Sequence, residues 1–220
     1  AGEYSLSNGL STPEVLRELV EGKLAVQSFT VPEGFTTAQV ADLLAAKGLV
    51  DRGEFLRAVA SEKFSYPFLQ GLPEGERRLE GYLFPDTYQV TRGSSESSII
   101  DLMLRRFEKE SRDMDYQAQV DKAGLTLHQA VTIASMVERE ARVDEERPVI
   151  AGVIRNRLER SIPLQIDATV QYALGANKPK IYYKDLEVDS PYNTYKVNGL
   201  PPGPIAMPGR ASLLAAVNPV

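Results

Sequence analysis

The sequence predicts an α+β protein: a small helix–strand–helix–helix unit first, then a larger, mostly helical unit with a small sheet. Three observations predict it. Capping-box pairs stand ahead of helical apolar stripes at Ser11/Glu14, Thr36/Gln39 and Thr126/Gln129. Strand-like runs are short, chiefly 24–31, 80–90 and 162–166. Six of the 14 prolines (Pro191, Pro201, Pro202, Pro204, Pro208 and Pro219) crowd the end, making 190–209 a rigid, irregular loop.

Taken in order, Ser11 and Glu14 open a helix over 12–21, with Pro13 in its first turn and Gly22 after it. Residues 24–31 are apolar, β-branched and aromatic, as a strand requires. Pro32-Glu33-Gly34 then turns the chain. Thr36 opens a helix with the stripe Val40, Leu43 and Leu44, and Gly48 stops it. Asp51 and Glu54 start another, with Phe55, Leu56 and Val59 inside. Strand, Pro-Glu-Gly turn, helix, loop, helix resembles a LysM-type carbohydrate-binding module. A small packing unit with no ligand is the other reading. Residues 66–78, rich in Pro, Gly and charge, read as a linker, which divides the chain into 1–78 and 79–220.

In the second unit, 80–90 (EGYLFPDTYQV) reads as extended with a turn at Pro85-Asp86. A long helix over 95–114 carries Ile99, Ile100, Met103, Leu104 and Phe107 on one face. Thr126 opens a helix to about residue 142, and Pro148 sits in the first turn of one running to about 160. In 162–167, Ile162, Leu164 and Ile166 alternate with Pro163, Gln165 and Asp167, as in a strand. A helix over 168–174 follows, ended by Gly175.

Composition narrows the chemistry. The chain has 220 residues, Lys+Arg 25 against Asp+Glu 30, a net charge of −5 and 43% hydrophobic residues, enough to bury a core. Cysteine is absent, which excludes disulfides, thiol nucleophiles, Fe–S clusters and ordinary Cys/His zinc sites. A Ser–His–Asp triad would have to use the one histidine, His128. Net acidity without a Lys/Arg stripe argues against nucleic acid. No apolar run approaches the roughly 18 residues of a membrane span. Carboxylates, amides, tyrosines and arginines are left to carry the chemistry.

One carboxylate stands out. On the helix TLHQAVTIASMVEREAR, Glu138 lies within about 40° of Leu127, Val131 and Ala134 and so projects from the apolar face. A carboxyl group against a low-dielectric wall holds its proton more tightly and can protonate a leaving oxygen. The plainer reading is an edge-of-stripe glutamate paired with Arg142. Glu140 is rotated by about 200° from Glu138, and His128 by about 80°, in a cap or surface position. Strand geometry puts Gln165 and Asp167 on one polar face, able to reach a sugar's hydroxyls together, though Asp167 also fits a helix N-cap. Arg157 falls inside the stripe Val149/Ile150/Val153/Ile154/Leu158, either as a structural cation or as an anchor for a carboxylate. Tyr192, Asn193, Thr194 and Tyr195 line up aromatic faces and amides inside the proline-rich loop, as a polysaccharide groove needs.

Four motifs carry a family resemblance: EGYLFPDTY (80–88), IASMVEREA (133–141), VIRNRLERSIPLQIDATVQYALG (153–175) and SPYNTYKVNGLPPGPIAMPGRASLLAAVNP (190–219). Together they resemble the endolytic murein transglycosylase family (YceG-like, MltG). The resemblance implies an α+β fold, a LysM-like subdomain over 1–78 followed by a mostly helical catalytic domain over 79–220. It implies an extracytoplasmic enzyme, held by a single transmembrane helix absent from this chain, that cuts nascent peptidoglycan glycan strands beside the peptidoglycan synthases. Family members usually continue beyond the equivalent of Val220, so the catalytic part reads as shortened there. The family's catalytic residue is the first Glu of the I-A-S-[IVM]-V-E-[KR]-E motif, here Glu138. Gln165, Asp167, Tyr192, Asn193 and Glu80 are then expected to meet substrate, with Glu140, Asn156 and Arg157 in support. No metal or cofactor is called for. The rival readings are a hydrolase with Asp167 or Glu80 activating water, and a non-catalytic glycan-binding scaffold.

Overall fold

The structure is a computed structural model that describes residues 8–21, 26–175, 178 and 180–220, with backbone alone for 17–21. The fold is α+β and mostly helical. Among the described residues the order is α1 (Thr12–Glu21), β1 (Val26–Thr30), α2 (Thr37–Ala46), α3 (Arg52–Ser61), β2 (Thr87–Thr91), α4 (Glu96–Asp113), α5 (Tyr116–Lys122), α6 (Leu127–Glu140), α7 (Arg147–Glu159), α8 (Asp167–Leu174) and α9 (Arg210–Val217). Local capping chemistry starts the helices where the sequence predicts. Thr36 and Gln39 close a full capping box on α2, Thr126 and Gln129 another on α6, and Asp51 caps α3 by accepting from Glu54 N at 2.9 Å.

The two strands come from opposite sides of the expected linker. β1 pairs antiparallel with β2, Phe29 opposite Tyr88 and Thr30 opposite Thr87. The Phe29 and Tyr88 rings stack at 5.2 Å, a cross-strand pair that closes the sheet's inner face. One buried apolar cluster runs from Phe29 through Val40 and Phe55 to Leu213 and Val217. At its centre is α6, buried on all sides from Ala130 to Val137 and packed against α5, α7, α8 and α9. A helix buried all round belongs in a core; Thr132 and Ser135 in its middle are hydrogen-bonded, and its ionisable groups stand at its ends. His128 stands at one end and Glu138 to Glu140 at the other.

Several expectations need correction. Residues 80–83 form a turn rather than a strand. Glu80 N donates to Arg77 O and Tyr82 N to Leu79 O, and Gly81 takes φ +86, which only glycine adopts at little cost. Residues 162–166 are not a strand either, because Gln165 takes φ +53 and its backbone is tied to Thr194 instead of a neighbouring strand. The α7 stripe also differs. Val149 and Val153 are about half exposed, while Ala151, Gly152 and Ile154 face inward. A Cβ on Gly152 would meet Val220 O at 1.9 Å, so close backbone approach selects the small residues for the buried face. Residues 66–78 do not hang free: Tyr66 and Leu69 are buried, and Phe68 stacks on Tyr82. Residues 22–25, where Gly22 and the start of the expected strand fall, lie outside the described residues. α5 and α9 were not anticipated, since short apolar runs carry too little periodicity to declare a helix.

Candidate active site

The last turn of α6 brings Glu138 to the junction of three segments: the 32–35 turn, the start of α7 and the start of α9. Its side chain is 6% exposed. One oxygen, Oε1, accepts from Arg147 Nη1 at 3.1 Å, and Oε2 accepts from the backbone N–H of Gly209 at 2.9 Å, just before α9. Arg147 is held in turn by Asp144, which accepts from Nε at 3.0 Å, and by the fully buried Ser212, whose Oγ accepts from Nη1 at 2.5 Å. The wall around Glu138 is therefore not purely apolar. Its cation is Arg147 rather than Arg142, which sits exposed and binds Glu146 through its own backbone N–H.

A second carboxyl group, from the first unit, closes this site. Glu33 lies over Gly209 so closely that a Cβ at that glycine would fall 1.8 Å from Glu33 Oε1. Its turn is pinned from two sides. Gly34 N donates to Met207 O at 2.8 Å, Met207 N donates to Phe35 O at 2.7 Å, and Arg139 Nη1 donates to Gly34 O at 3.2 Å. Glu33 is exposed overall, but partial desolvation of its carboxyl pushes the pKa up; the charge of Glu138 adds to the rise, Arg147 opposes it, and Asp144 adds a little more. In the sequence, Pro32-Glu33-Gly34 reads only as a turn. Nothing local marks Glu33, because its partners lie at the far end of the chain.

Glu80 occupies a different place. It is 3% exposed, accepts from Thr37 N at 2.9 Å and from Tyr172 Oη at 2.9 Å, and burial pushes its carboxyl up to about 7 against both hydrogen bonds. It forms part of the wall of a cavity of about 530 Å³, together with Thr36, Gln39, Arg77, Arg139, Gln171 and Tyr172. Glu138 does not line that cavity, but its neighbour Arg139 does, and Arg139 Nη2 reaches Gln171 Oε1 at 3.4 Å. Tyr192 is buried behind the wall. Its ring packs on Tyr172 at 4.9 Å, and the Arg77 guanidinium lies over both rings, at 4.8 and 5.2 Å.

The remaining candidates fall into two groups. Glu140 accepts from the Ala168 backbone N–H at the start of α8, and burial, ahead of that bond, raises its carboxyl pKa. Beside it, Asp167 is exposed and accepts from Tyr195 Oη at 2.5 Å; it is the first residue of α8 rather than its N-cap. Gln165 is exposed nearby, but its left-handed backbone replaces the shared strand face expected with Asp167. Arg157 donates to the carbonyls of Leu164 at 2.6 Å and Pro163 at 3.3 Å, a structural use of its charge, and Asn156 is exposed on α7. Asn193 is fully buried. Its Nδ2 donates to Leu186 O and Val188 O and its Oδ1 accepts from Tyr195 N, so the whole amide holds the loop together. At the opposite end of α6, His128 Nε2 faces Pro202 O and Nδ1 faces Tyr82 Oη, both at 2.9 Å. A carbonyl can only accept, so Nε2 carries the proton, and His128 clamps the proline-rich loop.

Comparisons with known proteins agree with this architecture. A crystal structure of a YceG-like protein from Listeria monocytogenes superposes with a TM-score of 0.81 at 37% identity, covering 99% of this chain and 75% of that one. A Bacillus subtilis protein named endolytic murein transglycosylase is 34% identical over 100% of this chain and 64% of its own length. A Streptococcus pneumoniae protein of the same name is 36% identical over 99% of this chain and 44% of its own length. The chain thus spans less than two thirds of these two curated relatives. No helix among the described residues is long and apolar enough to cross a membrane. The model of the YceG-like family matches residues 1–220, and this chain belongs to that family.

Proposed function

We propose that this chain is the catalytic part of an endolytic peptidoglycan lytic transglycosylase, cutting the MurNAc–GlcNAc β-1,4 bond of nascent glycan strands. The observation that carries the reading is Glu138: one carboxyl group held at the end of a buried helix between a cation and a backbone N–H, in a chain whose relatives bear that activity in their names. In the reaction, protonated Glu138 gives its proton to the departing GlcNAc oxygen as the glycosidic C–O bond breaks. Positive charge develops at the MurNAc anomeric carbon. The Glu138 carboxylate, steadied meanwhile by Arg147 and Gly209 N–H, then takes the proton of the sugar's C6 hydroxyl. The C6 oxygen bonds to the anomeric carbon and leaves a 1,6-anhydroMurNAc end. No water is consumed.

The exposed Gln165 and Asp167 are the sugar contacts in this reading. Glu80, Tyr192 and Asn193 shape the groove from behind, and Glu140 and Arg157 order the α8 side of the site, next to Asn156. The whole protein would work beside the synthases that make its substrate, on the outer face of the bacterial cell membrane. The Glu33 carboxyl beside Glu138 favours a second reading, hydrolysis of the same bond with two acids.

Mass spectrometry of products from purified glycan strands separates these. Internal fragments one water lighter than hydrolytic products, and their loss in Glu138→Gln, are expected. Reducing ends would make the protein a hydrolase. Glycan binding that survives Glu138→Gln with no cleavage by the full-length protein would make it a scaffold.

A further inference from the structure

The charges around Glu138 pose a problem for a proton donor. Arg147 Nη1 at 3.1 Å and Gly209 N–H at 2.9 Å both favour the carboxylate. A proton donor so placed needs a neighbouring charge that opposes them. Charged groups among the described residues face the pair. Asp144 precedes α7, Arg147 opens α7, and Arg139 beside the 32–35 turn donates to Gly34 O. Three features work against Arg147: the Asp144 carboxylate on its Nε at 3.0 Å, the negative end of the α6 dipole, where Glu138 sits, and Glu33. Its carboxyl, on a residue exposed overall, lies above Gly209, the residue whose N–H binds Glu138. The fold sets the backbone that carries it. The turn is hydrogen-bonded to the Met207 backbone on both sides, and Gly209 lacks the Cβ that would push Glu33 away.

We propose that Glu33, carried by the first unit, is a positioning residue for Glu138: its carboxyl group offsets Arg147 and lets Glu138 keep the proton it must donate. The inference rests on the reading of Glu138 as the acid/base. It makes the small N-terminal unit part of the active site, not only a glycan-binding attachment.

The test is the pH profile of glycan cleavage by the wild type, Glu33→Gln and Glu33→Asp. Removing a negative neighbour makes Glu138 lose its proton more readily. The alkaline limb for Glu33→Gln should therefore move down by about one pH unit, and Glu33→Asp, which keeps the charge, should restore most of it. A merely structural role would lower the rate at every pH without moving the limb. That result overturns the inference while leaving Glu138 as the acid/base. Reducing ends from the wild type, lost in Glu33→Gln, would make Glu33 a base for water and overturn both. If the wild type cleaves nothing, carbon-13 titration of the carboxyl groups decides. Glu33 titrating above the ordinary carboxylate range and falling back in Glu138→Gln supports the coupling. Titration at the ordinary pH in both proteins overturns it.

Discussion

Single side chains in this protein divide by what surrounds their charge. Glu138 and Glu80 are both buried glutamates, yet only Glu138 has a cation at hydrogen-bond distance. Glu80 has neutral donors and the more distant Arg77 charge, which do not offset its burial, and its carboxyl rises from the ordinary 4.5 to about 7. The folded state therefore binds the Glu80 proton more tightly than the unfolded chain. Its stabilising contribution is complete below about pH 4.5 and is lost as pH rises through about 7. Glu80→Gln stays neutral throughout. In urea unfolding, the wild type's advantage over Glu80→Gln should shrink by on the order of 2 kcal/mol between pH 5 and pH 8. A constant difference across that range would show that Glu80 does not titrate in it.

At the scale of elements, α6 is the axis that sets the site. Its N-terminus is anchored by the Thr126–Gln129 box and by His128, its middle by burial, and its C-terminus by the contacts of Glu138 and Arg139. Thr126→Ala removes the N-cap acceptor and should cost about 1 kcal/mol in chemical denaturation, while Glu138, at the far end of the helix, stays in place. Cleavage at saturating glycan should then be unchanged. A loss of rate larger than the loss of stability would mean that the helix shifts along its axis. The proline-rich loop has its own anchors in Asn193 and Thr194, with Thr194 O accepting from Gln165 N and its Oγ1 from Ile166 N.

At the scale of the whole molecule, the pairing of β1 with β2 joins the first unit to the rest of the chain, and the same junction carries Glu33 to Glu138. Phe29 is 1% exposed and stacks on Tyr88 across that pair. Phe29→Ala should cost roughly 3–4 kcal/mol and lower one common melting transition, followed equally by far-UV dichroism and by tyrosine fluorescence. Two separate transitions, only the earlier one shifted, would show that the units unfold independently.

Much of this was legible in residues alone, for a physical reason. Helix starts are written locally: a Thr and a Gln three residues on satisfy each other's backbone within one turn, so α2 and α6 begin where expected. Glu138 could be singled out as a candidate because a 3.6-residue period is also local. Contacts between distant segments were not legible. The turn at 80–83, the left-handed Gln165 and the inward face of α7 follow from what packs against them: Thr194 in one case and the Val220 carbonyl in another. Arg147 in place of Arg142, and Glu33 above Gly209, were decided only by the tertiary structure. The charge on a buried carboxyl group depends on whichever groups the fold brings within a few ångströms, and here they come from both ends of the chain.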